Sequence, residues 1–418
     1  MSETLFSNKN DGLIWANYGE KYVFPPLSML PDQEPLNRDE LVAACHQECE
    51  LLRQALETLK IKIDSQITYT YSPSVTSYEV HPFLPKHRNA LLKSTSDLAL
   101  MLNAAPIRVF VSTTEINTTV IEVPHQKRHT VHLREVLESD DFVNATGRIN
   151  LAVGVDTSGS NVVWDLAKTP HILMAGTTCS GKSVLINDFL LSMLYTKTPN
   201  DVKLILIDPK RVEFSSYKNI PHLLTPVISS PKKACRALNA AVEMVEKRFE
   251  LFEETGVRNI DDYNQKVSGD VAGDKLPRIV IVIDELADLM FTSRKQAEIP
   301  IARISQKGRA AGIHLIISTQ RIARDVISTL LTANLPTRIA FATTSSKDSG
   351  IIFDQYGAEK LLSRGDTLLR LMGALNSVRT QCCFVDDSVV SKICDFVRET
   401  NPPVIYDEAL TAYIDETT

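Results

Sequence analysis

Two hydrophobic rhythms divide this chain. From Arg38, the residues Leu41, Cys45, Leu51, Leu52, Leu56 and Leu59 recur at intervals of roughly three and four, which predicts an amphipathic helix. Alternation then takes over in KIKIDSQITYTYSP and SVTSYEVHPF, predicting two short strands around Pro73. RNALLKSTSDLALMLNAA reads as a second amphipathic helix, and IRVFVS and TVIEVP as further strands. These elements make a small α+β unit that ends near Leu137 to Asp141. The second rhythm begins near Ile149. Apolar runs recur as HILMA (171–175), VKLILI (202–207), RIVIVI (278–283), HLIIS (314–318) and RIAFA (338–342). Helical segments such as SPKKACRALNAAVEMVEKRFELFEE and AEIPIARISQKGRAA separate most of them. Continuous apolar strands alternating with helices predict an α/β domain whose parallel sheet is covered on both faces.

A length of 418 residues suits two domains. The boundaries expected are a polar, proline-punctuated tail or linker over 1–38, the α+β domain over 39–143, the α/β domain over 144–400 and an acidic tail over 401–418. YVFPPLSML, from Tyr22 to Leu30, is an apolar anchor inside the first segment.

Composition narrows the class only slightly. The hydrophobic fraction of 44% beside 23% charged residues is that of a globular protein. No stretch approaches the ~18 apolar residues of a membrane helix. MSETLFSNKNDG lacks the basic start and apolar block of a signal peptide, so the expectation is a cytoplasmic chain with no intrinsic membrane span. A net charge of −6 excludes no polyanionic partner, because screening confines a basic patch to about 10 Å. The seven cysteines contain no C-x-x-C. Cys45 and Cys49 share a helix face beside His46 without further ligands at recognisable spacing, and Cys382 and Cys383 would face opposite sides of a strand; reduced structural thiols account for them.

The chemistry is concentrated at GTTCSGKS, from Gly176 to Ser183, which follows the HILMA strand and precedes a helix. In that context the backbone N–H groups of Gly176, Thr177, Thr178, Cys179, Ser180 and Gly181 cradle nucleotide phosphates, Lys182 neutralises the β and γ oxygens, and Ser183 coordinates Mg²⁺. Cys179 stands at a variable position of the pattern and is a candidate for alkylation, a small tolerated residue being the plainer reading. RIVIVIDELADLM supplies the Walker B partner: Asp284 would hold Mg²⁺ through water and Glu285 would polarise the attacking water, although an acidic pair there also suits a helix cap. HLIISTQR places Thr319 and Gln320 at a strand end, where Gln320 would sense or position the γ-phosphate. Lys307, Arg309 and Arg338 are candidates for a charge acting in trans at a subunit boundary; each alone also suits a solvated or paired side chain. The kinase signatures H-R-D and D-F-G are missing.

Jointly, DLAKTPHILMAGTTCSGKSVLIN, LILIDPKRVEF, RIVIVIDELADLM, ISQKGRAAGIHLIISTQR, TANLPTRIAFATTSSKDS and FDQYGAEKLLSRGDTLL resemble, in order and spacing, the motor of the FtsK/SpoIIIE DNA translocases. YVFPPLSML, SPSVTSYEVHP, DLALMLNAAPIRV and IEVPHQKRHTVHLREVLES resemble that family's α domain and its lead-in, so the likeness covers roughly residues 20 to 398. The resemblance implies a RecA-like P-loop ATPase domain behind a smaller α+β domain. It further implies ATP and Mg²⁺ as cofactors, a homohexameric ring, and double-stranded DNA in its channel. Three positions depart from the family's habit: Cys179 where Gly is usual, Gly350 where Arg is frequent, and Ile322 where Pro commonly follows T-Q-R. A membrane region and a polarity-reading winged helix are not visible, so orientation on DNA is expected from a recruiting or orienting partner protein. Two other readings stay open: a related motor for protein secretion, and a weakly hydrolysing DNA-binding ring.

Overall fold

The computed structural model describes residues 22–33, 38–64, 66–112, 117–268, 274–374 and 376–416. In the small domain, β1 (Thr68–Tyr71), β2 (Val75–Val80), β3 (Arg108–Val111) and β4 (Thr119–Pro124) form an antiparallel sheet in the order β1-β2-β4-β3. The helix Arg38–Thr58 contributes Leu52 and Leu56 to a core with Tyr78, Leu91, Leu98 and Ile121. The second helix expected from the sequence is two helices, Pro85–Lys93 and Thr95–Met101. Ser94 leaves helical geometry between them, with φ −90° and ψ 21°. Leu91 and Leu98 are buried on either side of the break, which is why the apolar period reads straight through it.

The large domain carries a nine-stranded sheet built from β5 (Asn150–Asp156), β6 (Asn161–Asp165), β7 (His171–Ala175), β8 (Val202–Ile207), β9 (Arg278–Ile283), β10 (Ile313–Thr319), β11 (Thr337–Phe341), β12 (Asp366–Arg370) and β13 (Val378–Cys382). Their order is β6-β5-β13-β12-β11-β7-β10-β9-β8. The five expected strands form its parallel part, β11-β7-β10-β9-β8. The other four are antiparallel, so the sheet is mixed rather than parallel throughout. β6 is mostly half-buried and β12 and β13 carry threonines, arginines and a glutamine, so neither gives the apolar run that betrays a central strand.

Side chains of the parallel strands alternate between two cores. Leu173, Ile205, Ile281 and Ile317 face the long helices Pro231–Thr255 and Leu286–Ala311. Ile172, Leu206, Val282 and Ile316 face Lys182–Thr196 and Asp387–Thr400. Three expected boundaries shift once burial is known. Val131, Leu133, Val136 and Phe142 pack into the second core, so the large domain begins near Val131 instead of residue 144. The anchor at 22–30 also docks there, through Leu30 and a hydrogen bond from Val23 N to Asn401 Oδ1. The acidic C-terminal segment is no free tail: Leu410 and Ile414, one turn apart on the helix Glu408–Asp415, are buried in the first core.

Candidate functional site

Strand β7 ends at Ala175 and the helix Lys182–Thr196 opens after six intervening residues, so the loop between them turns sharply. Gly181 has φ +113°, and a Cβ on it would lie 2.6 Å from the backbone nitrogen of Gly365. Only glycine fits both demands. Cys179, whose φ is +59°, is also in the left-handed region and is exposed. Lys182 is 6% exposed, and its ammonium donates to the carbonyls of Gly176 at 2.6 Å and Thr177 at 2.7 Å. Burial lowers its pKa to about 8, an effect that Glu285 and then Asp284 oppose. A buried cation held by two neutral carbonyls and the Ser180 hydroxyl is matched to an incoming anion.

The strand order assembles the remaining groups. β10 lies between β7 and β9, so its end falls between the phosphate loop and the acidic pair. Thr178 Oγ1 donates to Gln320 Oε1 at 2.9 Å, and Gln320 N donates to Glu285 Oε1 at 3.1 Å. Thr319 Oγ1 donates to the same carboxylate oxygen at 2.7 Å. A continuous polar chain thus runs from the phosphate loop to Glu285. The acidic pair is not merely a cap: Glu285 does accept weakly from Ala287 N at 3.4 Å, but its shorter bonds face Thr319, Gln320 and Lys210.

Lys210 escaped sequence reasoning as a separate site residue. It lies just past β8, and its ammonium reaches Glu285 Oε2 at 3.1 Å. Asp208 shapes that turn by accepting from Arg211 N at 2.8 Å and Phe214 N at 3.1 Å. The signal was available: D-P-K-R directly after a buried strand places charge at the same carboxyl edge.

Asp284 is 7% exposed, and burial raises its pKa to about 7, with Glu213 and Asp208 adding repulsion. Such a crowded carboxylate favours a cation beside it. The crowded Asp284 carboxylate, close enough to act on Lys182, suits Mg²⁺, which keeps waters and takes one or two protein ligands plus substrate phosphates. Ser183 and Asp284 are the residues that would hold it.

The remaining basic candidates separate. Arg338 is 6% exposed and donates to the carbonyls of Leu335, Ile352 and Thr332 and to Asp354 at 2.7 Å. It is a packed internal group, the paired side chain that was one of its two readings. Lys307 pairs with Glu246 at 2.7 Å. Arg309 is exposed and lines a second cavity with Arg278, the first residue of β9, at the edge of the sheet opposite the phosphate loop. At Gly350 a Cβ would meet only the Tyr356 ring, at 3.8 Å, so the helix Ser346–Phe353 has room for a side chain there.

The phosphate loop opens into a cavity of about 900 Å³. Its other walls are the interdomain segment Gln126–Val131, Arg364 and Gly365, and Gln381 and Phe384 at the end of β13.

Comparison with known proteins agrees with this geometry. The family model described as FtsK/SpoIIIE family matches residues 132–324, and that of the FtsK alpha domain matches residues 24–125. The DNA translocase SftA of Bacillus subtilis (strain 168) is 44% identical over 382 residues, which are 91% of this chain and 40% of that protein. The DNA translocase FtsK of Clostridium acetobutylicum is 41% identical over 398 residues, 94% of this chain and 51% of that protein. The chain therefore spans about half or less of the length of these relatives. Among solved structures, the pCW3 conjugation coupling protein TcpA, in its monomer form with ATPγS, aligns with a TM-score of 0.59 at 25% identity, covering 84% of this chain and 99% of that one.

Proposed function

The chain belongs to the FtsK/SpoIIIE family, and from that premise we propose that it is an ATP-driven motor on double-stranded DNA. The observation that carries the reading is the polar chain from Thr178 through Gln320 to Glu285, braced by Lys210. Bound Mg²⁺–ATP supplies the phosphoryl group and the charge compensation for its transfer. Lys182 would turn from its own loop carbonyls to the phosphates, and Ser183 and Asp284 would hold the metal. Glu285 orients and polarises the attacking water, and Thr319 and Lys210 fix its carboxylate in the required direction. Gln320, bonded to both the phosphate loop and Glu285, passes the state of one to the other. The same bonds make Gln320 the element that positions the γ-phosphate.

The working assembly is a ring, a homohexamer by family resemblance, in the cytoplasm. Arg309 supports this: it is exposed and lies at the sheet edge away from its own phosphate loop, so the loop it can serve is another copy's. DNA contact is to the phosphate backbone, hence salt-dependent and weakly sequence-specific. Segregation and intercellular transfer of DNA both suit such a motor; the resemblance to a conjugation coupling protein favours keeping transfer in view. The match to the FtsK alpha domain argues against a protein-secretion motor. ATPase assays with and without linear duplex, together with displacement of a triplex-forming strand from that duplex, test the proposal. DNA-stimulated turnover with strand displacement is expected. Turnover that ignores DNA, with no displacement, would overturn it.

A further inference from the structure

Phe384 is 43% exposed, although its backbone is pinned on both sides. Its N–H donates to Val131 O at 2.8 Å, its carbonyl accepts from Leu133 N at 3.4 Å, and the N–H of Cys383 before it donates to Val153 O at 3.0 Å. The ring is therefore exposed on a rigid mount. A single exposed aromatic needs no explanation in general, but this one lines the cavity that the phosphate loop opens into. Gln381 lines the same cavity and is 8% exposed. Its amide nitrogen is anchored to Arg364 O at 2.9 Å, which steadies that wall. Over the other side runs Gln126–Val131, tied down where Arg128 Nη1 donates to Ser363 O at 2.8 Å. The cavity thus holds both the phosphate-loop groups and the exposed face of an aromatic ring.

That combination fits a nucleotide: phosphates and a flat aromatic base. We propose that Phe384 is the platform on which the base of the nucleotide stacks. This rests on the ATPase reading and deepens it.

Equilibrium binding of ATP, ADP and inorganic tripolyphosphate to the full chain, followed by calorimetry, tests this in the native sequence and in Phe384→Ala and Phe384→Tyr. Stacking on one aromatic predicts that Phe384→Ala weakens ATP and ADP by about tenfold or more. Tripolyphosphate binding should stay unchanged, and Phe384→Tyr should bind ATP like the native protein. The proposal falls if Phe384→Ala binds ATP at native strength. It also falls if tripolyphosphate weakens in parallel, which marks general damage to the phosphate loop, or if native protein binds tripolyphosphate as tightly as ATP. Native protein that binds neither would overturn the ATPase reading itself; Lys182→Ala, which should lose all three ligands, tests that reading separately.

Discussion

Arg379, on β13 of the large domain, closes against Glu122, on β4 of the small domain, at 2.5 Å. The same guanidinium holds Asp366 at 2.6 Å, and all three side chains are essentially buried. Burial disfavours the charge of Arg379, but Asp366 and then Glu122 outweigh it and hold its pKa above the ordinary arginine value. The domains are therefore joined by an ion triad sealed from water. Removing its centre leaves buried Asp366 without a cation and Glu122 with only the longer contact to Arg108 at 3.4 Å, so Arg379→Ala should cost roughly 3–5 kcal/mol of stability. Arg379→Lys should recover only part, because an ammonium cannot bridge two carboxylates as a planar fork does. Urea unfolding measures both; an alanine variant as stable as the native protein would show that the triad contributes nothing.

Glu285 and Lys182 should fail in different ways. Lys182→Ala removes the only buried cation of the loop and should abolish nucleotide binding. Glu285→Gln keeps shape and hydrogen bonds, so ATP should bind normally while turnover falls by roughly 10²–10⁴-fold. Lys210→Ala should lower kcat by about tenfold with little change in KM, since Thr319 and Gln320 still hold one oxygen of Glu285. Steady-state kinetics and a filter-binding assay separate the three. Near-native, DNA-stimulated turnover in Lys182→Ala or Glu285→Gln would remove the site assignment.

Lys182 and Glu285 could be picked out of the sequence because a phosphate site calls for particular side chains at fixed spacing after a buried strand, whereas Lys210 belongs to no such spacing. The sequence of strands β7, β8, β9, β10 and β11 was legible for a similar reason: full burial writes a continuous apolar run. Arg338 kept two readings, a charge acting in trans or a solvated or paired side chain, because only folding brings the Thr332 and Ile352 carbonyls and Asp354 around it. The C-terminal helix misled in the opposite direction. Its acidic surroundings dominate the composition, while the two residues that bury, Leu410 and Ile414, make too short a pattern to outweigh them. Residues Val131 to Phe142 were assigned to the wrong domain because periodicity locates elements and says nothing of which core receives them.

Cys179 gives a direct chemical handle on the loop. It is exposed, whereas the other six cysteines are buried. A maleimide should therefore modify one thiol rapidly in the folded protein, and the adduct, seated within the phosphate loop, should block nucleotide binding. ATP should protect against modification. Cys179→Gly should resist the reagent and keep full affinity, because glycine accepts the left-handed backbone of this position without a Cβ conflict. Mass spectrometry after timed labelling, with and without ATP, checks this. Fast modification that leaves nucleotide binding intact would place Cys179 outside the working site.

Buried histidines should make the large domain sensitive to acid. His171 and His314, at the starts of neighbouring strands β7 and β10, and His222 are all within 1% of complete burial. Burial lowers the pKa of His171 to about 3 and of His222 to about 4, the latter partly opposed by its bond to Lys197 O. His314 is held well below its ordinary value by burial first and by Arg278 next. The folded state thus keeps all three neutral where the unfolded chain, with pKa near 6.5, takes up protons. Stability is unaffected above about pH 7 and is lost as pH falls from 6.5 towards 4. Asp188 works the other way. It is wholly buried with neither oxygen bonded, so burial raises its pKa and the folded state retains a proton that the unfolded carboxyl releases above about 4. Three imidazoles that take up protons on unfolding outnumber the two buried carboxyls, Asp188 and Asp284, that hold protons in the native state, so these groups together lower stability as pH falls from 6.5 towards 4. Urea midpoints at pH 7.5, 6 and 5 should therefore fall. His222→Gln can still donate to Lys197 O and should reduce the slope by about 1.4 kcal/mol per pH unit. A midpoint that stays level from pH 7.5 to 5 would mean that these imidazoles reach solvent in the folded protein.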